Sequence, residues 1–288
     1  MDYRIWACDL LSTTGEGKLA RLYIKNQKIF LKNKTNNKLK FSFLNHKYIS
    51  PFVGIIFCWY FFIRGKQVHY INYLPLWNFF IFLFLPPRTK IGPITGGANF
   101  KKNFIRKYIF PIFYNISQII IYCRYNSIHF STELLKKNLF NSIKNISSYN
   151  YVLKSLKKKK LERKKIDFLI YFRQHKNKKD FFDTKIIKKL LILNFKIYVF
   201  GDKLKINGVI NLGKLNNDQV NKYLSITRYS IASGENLLSF FTIECINNNV
   251  KILINTNKKN INYKLKNNFI NTYYNSVNFW KSLKNNSK

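Results

Sequence analysis

The sequence is poor in acidic residues, and this scarcity sets its charge. Only 12 of the 288 residues are Asp or Glu, against 51 Lys and Arg, so the formal net charge is +39. Two explanations stay open: a polyanionic partner, meaning nucleic acid or an acidic membrane surface, or a coding bias toward A and T. The coding bias is favoured because Asn and Tyr, which add no positive charge, are enriched along with Lys.

Cysteine is scarce as well, and its spacing excludes two classes of small domain. The four cysteines are far apart and form no CxxC pair: Cys8, Cys58, Cys123 and Cys245. This spacing argues against a zinc site and against a disulfide framework. We therefore expect reduced thiols, no metal and no bound cofactor, as in a cytoplasmic protein.

The sequence also lacks an apolar run long enough for a membrane-spanning helix. Residues 52–63 and 74–85 are strongly apolar, but both fall short of the ~20 residues that a span needs. We interpret them as buried core elements and keep a transmembrane alternative open. Asp2, Arg4 and Asp9 interrupt the apolar N-terminus, which argues against a secretory signal. We expect a cytoplasmic protein that can also lie peripherally on the inner face of the plasma membrane.

What the sequence does contain is a regular alternation of strand and helix patterns. Such alternation predicts an α/β fold with parallel sheets. The basic stretch 154–165 marks a change of composition, and we take it as a domain boundary. We therefore predict an N-terminal domain over 1–155, a C-terminal domain over 156–265 and a helical tail over 266–288. The basic stretch itself is a solvated linker, a contact with anionic lipid headgroups or, less favoured, a contact with nucleic acid.

In the N-terminal half, short apolar runs are interrupted by glycine and proline. Predicted strands are 3–9, 68–74, 90–94 and 127–131, and predicted helices are 18–25 and 76–85. Gly15 and Gly17 fall in a polar turn after the first strand, and small residues suit such a turn.

The C-terminal half shows the alternation more clearly. Predicted strands are 166–172, 195–200, 208–212, 229–232 and 250–255, and predicted helices are 180–193, 217–225 and 237–246. Asn217 and Asp218 can cap the second of these helices.

Ligands of open parallel sheets bind beyond the carboxyl ends of the strands, so residues at strand ends are the candidates for a site. Arg173 directly follows the strand 166–172, and Lys176 and Lys178 come shortly after it. Cations in this place can hold a diphosphate and stabilise the charge that grows as it departs. The alternative is an ordinary solvated basic loop.

A second strand end leads into the tight loop Ser233-Gly234-Glu235-Asn236. The helix after it would present free N–H groups to a phosphate, and Gly234 would let the backbone approach. Glu235 has the alternative of a favourable charge near the helix N-terminus. Glu244 lies within the apolar part of that helix, where a carboxylate could accept the hydroxyls of a ribose. Its alternative is an exposed position or an ion pair with a lysine.

The segment from Glu235 to Glu244 resembles the paired-glutamate segment of retaining GT-B glycosyltransferases. In that family the second Glu holds the nucleotide ribose and the first faces the donor sugar. Arg173 and Lys178 resemble the family's Arg-and-Lys pair, which neutralises the donor diphosphate. The spacing between Glu235 and Glu244 is one residue longer than is usual in the family, so the role transfers more directly to Glu244.

The resemblance implies two Rossmann-like domains that face each other across a cleft, in the GT-B arrangement. It implies donor contacts from Gly234, Asn236, Leu237, Lys176 and Glu244, and from the glycine-rich loop that Gly15 and Gly17 resemble. Catalytic roles would go to Glu235, Arg173, Lys178 and His129, where the last stands for a histidine that the family can use near the sugar.

The expected activity is therefore transfer of a sugar from a nucleoside-diphosphate sugar to a glycan or lipid-linked acceptor. The stereochemistry stays open, because the adjacent Glu235 and Asn236 also resemble some inverting GT-B fucosyltransferases. Two alternatives remain: a catalytically inactive scaffold of the same fold, and a basic nucleic-acid-binding protein. The second lacks any zinc, RRM-like or helix-turn-helix signature in the sequence, and we expect no specific nucleic acid.

Overall fold

The computed structural model describes residues 3–7, 15–26, 50–71, 75–94, 104, 108–157, 159, 162–174, 184–231, 238–254 and 268–271. The chain divides into two compact units, Met1–Lys154 and Ser155–Lys288. This division lies one residue before the boundary expected from composition. Each unit contains a parallel sheet of its own, so the α/β class expected from the sequence is confirmed.

The N-terminal unit is built on a five-stranded parallel sheet. Its strands lie side by side in chain order, and their bounds are β1 Tyr3–Ala7, β2 Gln67–Ile71, β3 Lys90–Ile94, β4 Ile128–Phe130 and β5 Ser147–Ser148. Among the described strands of this unit the order never reverses.

Helices cover both faces of that sheet. They are α1 Gly15–Asn26, α2 Ser50–Ile63, α3 Phe79–Phe84, α4 Phe110–Arg124 and α5 Asn141–Asn145, with 3₁₀ turns at Glu133–Asn138 and Tyr151–Ser155. The helices α2, α3 and α4 share one apolar core, to which they contribute Cys58, Phe82 and Ile121, respectively. No helix was expected from the sequence at α4, which is apolar around most of its circumference and has Pro111 in its first turn.

The expectation that residues 52–63 and 74–85 are buried core elements is wrong in part. Among the side chains of α2 whose burial is described, from Pro51 to Ile63, only Gly54 and Cys58 are buried, and large side chains such as Phe52 and Ile56 are exposed. In α3 the inner residues Ile81 and Phe82 are buried while Phe80 and Phe84 are exposed. Each helix packs one face on the sheet and presents an equally apolar face outward.

The C-terminal unit has a six-stranded parallel sheet. Its strands are β6 Ile166–Phe172, β7 Ile197–Gly201, β8 Val209–Gly213, β9 Thr227–Ile231, β10 Lys251–Ile254 and β11 Phe269–Asn271. Their spatial order is β11-β10-β9-β6-β7-β8. Counted from β6 as the first strand, this is the 3-2-1-4-5-6 order of doubly wound nucleotide-binding sheets. The chain therefore starts in the middle, builds one half, and crosses back to build the other.

Three described helices accompany this sheet: α6 Thr184–Ile192, α7 Asn217–Ser225 and α8 Phe240–Asn247. The cap of α7 is Asn216 rather than the expected Asn217 and Asp218. Its side chain accepts the Gln219 N–H while the Gln219 side chain accepts the Asn216 N–H, which is a complete capping box. A core of Phe168, Ile170 and Val199 packs beneath α6.

The segment 266–288, where a helix was expected, is described only at residues 268–271, and the rest of that prediction lies outside the described residues. Its described part contains β11, which pairs in parallel with β10 through Ile252 opposite Phe269. Phe269 is 1% exposed.

Candidate functional site

The strand order of the C-terminal unit reverses between β6 and β9. These two strands are hydrogen-bonded neighbours, with Phe168 opposite Tyr229, and both point the same way. Their loops leave toward opposite halves of the sheet, because β6 leads to β7 and β9 leads to β10. Such a reversal opens a crevice at the carboxyl ends of the two strands, where doubly wound sheets bind their ligands. Along the chain, the candidate Arg173 follows β6, and the candidate loop 233–236 follows β9.

At the end of β6 the chain is held to the end of β7. The Gln174 N–H donates to Oδ2 of Asp202 at 2.7 Å, and the Asp202 N–H donates to the Phe172 carbonyl at 3.0 Å. Gly201 has a φ of +101° and no room for a side chain, because a Cβ there would overlap the Phe172 carbonyl. Arg173 lies directly in this braced turn and is exposed. Its guanidinium therefore projects from a fixed backbone at the edge where the strand order reverses.

An aromatic cluster lies beside this turn. The rings of Tyr171 and Phe200 are 5.1 Å apart, and the ring of Phe241 at the start of α8 is 5.9 and 5.3 Å from them. Tyr171 is 40% exposed although it belongs to the central strand of the sheet. Tyr171 and Asp202 were not among the site residues expected from the sequence. The available signals were an aromatic residue near the end of a buried strand and an acid directly after a strand-ending glycine.

The start of α8 has a regular cap. Ser239 Oγ accepts the Thr242 N–H at 3.2 Å and lies 2.9 Å from Thr242 Oγ1. Outside the described residues lie several of the candidates: Lys176, Lys178, Gly234, Glu235, Asn236 and Leu237. Their predicted roles stay predictions.

Glu244 is paired with a lysine from the basic stretch 154–165. Nζ of Lys159 lies 3.2 Å from Oε2 of Glu244 and 2.6 Å from Oδ1 of Asn221 on α7. Both ion-pair side chains are 34% exposed. Of the alternatives that the sequence left open, the structure shows the ion pair. A ribose at Glu244 would have to displace or share this lysine.

His129 lies within β4, inside the strand predicted over 127–131. Its Nδ1 is 2.6 Å from Oγ of Ser148, and its ring packs against Tyr23 at 5.7 Å and Tyr151 at 5.6 Å. Partial burial lowers the pKa of His129, and the positive charges of Lys90 and Lys154 lower it further. The ring is therefore neutral near pH 7 and able to accept a proton.

A second histidine shares this group. His69 on β2 is 1% exposed and its Nδ1 lies 3.4 Å from the Tyr23 hydroxyl. Burial, then Lys90 and His129, lower the pKa of His69 to about 4. Burial also raises the pKa of Tyr23. We call Tyr23, His69, His129 and Tyr151 the His–Tyr cluster.

Gly15 and Gly17 do not form the turn that was expected after β1. They are the first and third residues of α1, with Gly15 exposed and Gly17 buried. The two glycines, which were expected in a phosphate-facing loop, therefore lie in the first turn of a helix. The residues between β1 and α1 lie outside the described part of the chain.

Two further observations concern the rest of the described residues. A depression of about 460 Å³ between the end of α6 and the start of β8 is lined by Lys188, Ile192 and Asn207, among others. It lies toward the amino ends of the strands, away from Arg173.

In the same described part of the chain, no three His, Cys, Asp or Glu side chains are grouped as metal ligands would be.

No protein-family model matches this chain, and a search of curated proteins finds no match either.

Proposed function

We propose that this protein is a glycosyltransferase. It moves a sugar from a nucleoside-diphosphate sugar to a glycan or lipid-linked acceptor in the synthesis of a surface polysaccharide or lipopolysaccharide. The observation that carries the proposal is the strand order of the C-terminal unit, which reverses between β6 and β9. The two segments that resemble a donor site follow these two neighbouring strands, although 61 positions separate Ser230 from Leu169 along the chain.

The proposed sugar transfer requires positive charge near the departing diphosphate. The bond between the anomeric carbon and the β-phosphate oxygen breaks, and negative charge grows on the departing diphosphate. Arg173 is exposed on the braced turn at the reversal, and we assign it, with Lys176 and Lys178, to that charge. The exposed ring of Tyr171 at the same edge offers a face on which a base can stack.

A new bond then joins the anomeric carbon to the acceptor hydroxyl, whose proton passes to a base. Glu235 and the neutral His129 are the candidates for this step, and Glu244 is the candidate for the ribose. The GT-B arrangement with a cleft between two Rossmann-like domains is part of this proposal. So is the location of the acceptor on the N-terminal side.

The test is nucleotide binding by the full chain, with two arginines that bracket one strand. Thermal unfolding is measured with UDP, GDP, ADP and CMP in turn. A ligand at about 100 times its Kd adds about 2.7 kcal/mol to the folded state. For a protein of this size we expect the midpoint to rise by about 5 to 10 °C with one of the four nucleotides.

Arg173→Ala should abolish most of that rise, because its charge faces the diphosphate. Arg163→Ala is the matched control: Arg163 is also exposed, but it precedes the amino end of β6. It should leave the rise unchanged. An equal loss of the temperature rise in both variants would show that nucleotide binding depends on overall positive charge and not on Arg173 itself. A complete lack of response in folded protein would favour the inactive scaffold or nucleic-acid binding.

A further inference from the structure

The N-terminal unit presents a continuous apolar face to solvent, which the proposed sugar transfer does not use. In α2 the outward residues are Phe52, Ile56, Trp59, Tyr60 and Ile63, a spacing that makes one stripe along a helix. Phe52, Ile56 and Ile63 are 64, 69 and 78% exposed. Isolated exposed apolar residues are ordinary, but a whole stripe of them is not.

The stripe continues onto α3 and α4. Nε1 of Trp59 donates to the Phe84 carbonyl at 2.7 Å, which joins α2 to α3. Phe79 and Phe113, with ring centroids 5.3 Å apart, join α3 to α4. All three helices pack on the same apolar core, so their opposite sides face outward together. Phe80, Phe84 and Tyr122 extend the exposed surface at 55, 55 and 61%. We call this surface the apolar face.

Charge around the apolar face has one sign. The sequence contains no Asp or Glu between Glu16 and Glu133, a stretch that includes α2, α3 and α4. Arg64 directly follows α2, with its guanidinium 4.0 Å above the Tyr60 ring, and Arg88 follows α3 in an exposed position. Aromatic and basic residues at the margin of an apolar surface suit the boundary between headgroups and acyl chains.

We propose that the apolar face docks on an anionic bilayer and lies in its interface. The helices are too short for another mode: α2 has 14 residues and is about 21 Å long, against ~30 Å of hydrocarbon. No helix among the described residues is long and apolar enough to cross a membrane. A second copy of the chain is the poorer occupant, because pairing would bring together two acid-free surfaces of a molecule with a net charge of +39.

The experiment measures binding of the full chain to vesicles of phosphatidylcholine and phosphatidylglycerol in a 3:1 ratio. The double variant Ile56→Asn/Ile63→Asn removes apolar area at exposed positions and leaves the charge unchanged. Its matched control is Ile192→Asn/Ile210→Asn, at positions 79 and 44% exposed in the other unit. We expect the partition coefficient to fall at least tenfold in the first variant and less than twofold in the control. Equal behaviour of the two variants would overturn the proposal.

A measurement on the native sequence guards against misfolding of the variant. Lipids brominated on their acyl chains should quench tryptophan fluorescence on binding, and Trp59→Phe should remove most of that quenching. Quenching unchanged in Trp59→Phe would place the contact elsewhere and sink the proposal. So would light scattering that shows a dimer converted to monomer by Ile56→Asn/Ile63→Asn while vesicle binding persists, because a second copy would then cover the face.

Discussion

Glu244 shows how much the identity of a neighbour matters at the scale of one residue. The carboxylate accepts from Lys159, and the same ammonium group donates to Asn221. If Glu244 binds a ribose, Lys159 competes with that ribose. Glu244→Gln should then weaken nucleotide binding about tenfold, while Lys159→Met should leave it equal or tighten it.

Calorimetric titration of both variants with the nucleotide found in the thermal screen measures these effects. The ion pair alone would cost little, since exposed pairs contribute about 0 to 1 kcal/mol to stability. Parallel losses of affinity in the two variants would show that the pair acts as a brace and that Glu244 does not hold the ribose.

His69 makes a second prediction at this scale, about pH. Its pKa is about 4 in the folded protein and about 6.5 in an unfolded chain. Between pH 4 and 6.5, His69 is protonated in the unfolded chain and neutral in the folded protein. The contribution of His69 to the free energy of unfolding should therefore be complete above pH 6.5. It should fall by about 3 kcal/mol as the pH drops to 4.

Urea midpoints at intervals from pH 7 to 4 check this prediction. His69→Gln serves as the comparison, because glutamine cannot titrate and both proteins share the same carboxylates. Its stability should fall less steeply over the window. Identical slopes in the two proteins would mean that His69 is not the group responsible.

At the scale of an element, α2 depends on a glycine for its approach to the sheet. A Cβ at Gly54 would overlap the indole ring of Trp6, which is 2% exposed on β1. Gly54→Ala should therefore destabilise the protein by about 1 to 3 kcal/mol, although alanine favours helix by ~1 kcal/mol.

Gly15→Ala is the control for this prediction. Gly15 also lies in a helix, and nothing lies within 4 Å of a Cβ there. Denaturant unfolding should show it neutral or slightly stabilised. A Gly54→Ala variant as stable as this control would mean that the Trp6 ring moves aside freely.

The elements also show how far sequence patterns reach. β3 and β6 have the bounds that the pattern predicts, because short apolar runs between polar turns leave few alternatives. The burial expected of 52–63 and 74–85 is wrong in part, since hydrophobicity does not say which side of a helix meets the core. The capping box at Asn216 was one residue from the expected cap, which is the usual uncertainty of helix ends.

At the scale of the whole molecule, each of the two units has its own parallel sheet and its own apolar core. The C-terminal sheet has the order that makes a ligand crevice, whereas the described N-terminal strands lie in chain order. The apolar face belongs to the N-terminal unit and the candidate nucleotide site to the C-terminal unit. A protein of this kind could hold a soluble donor with one unit and rest on a lipid surface with the other.

The sequence by itself determined the α/β class, the alternation of elements and the candidates at strand ends, because these follow from local periodicity and turn chemistry. Only the tertiary structure decided that β6 and β9 are neighbours, that Lys159 pairs with Glu244, and that α2, α3 and α4 share an exposed apolar side. These features depend on which distant segments pack together. That choice is made by the burial of whole surfaces, which no short stretch of sequence records.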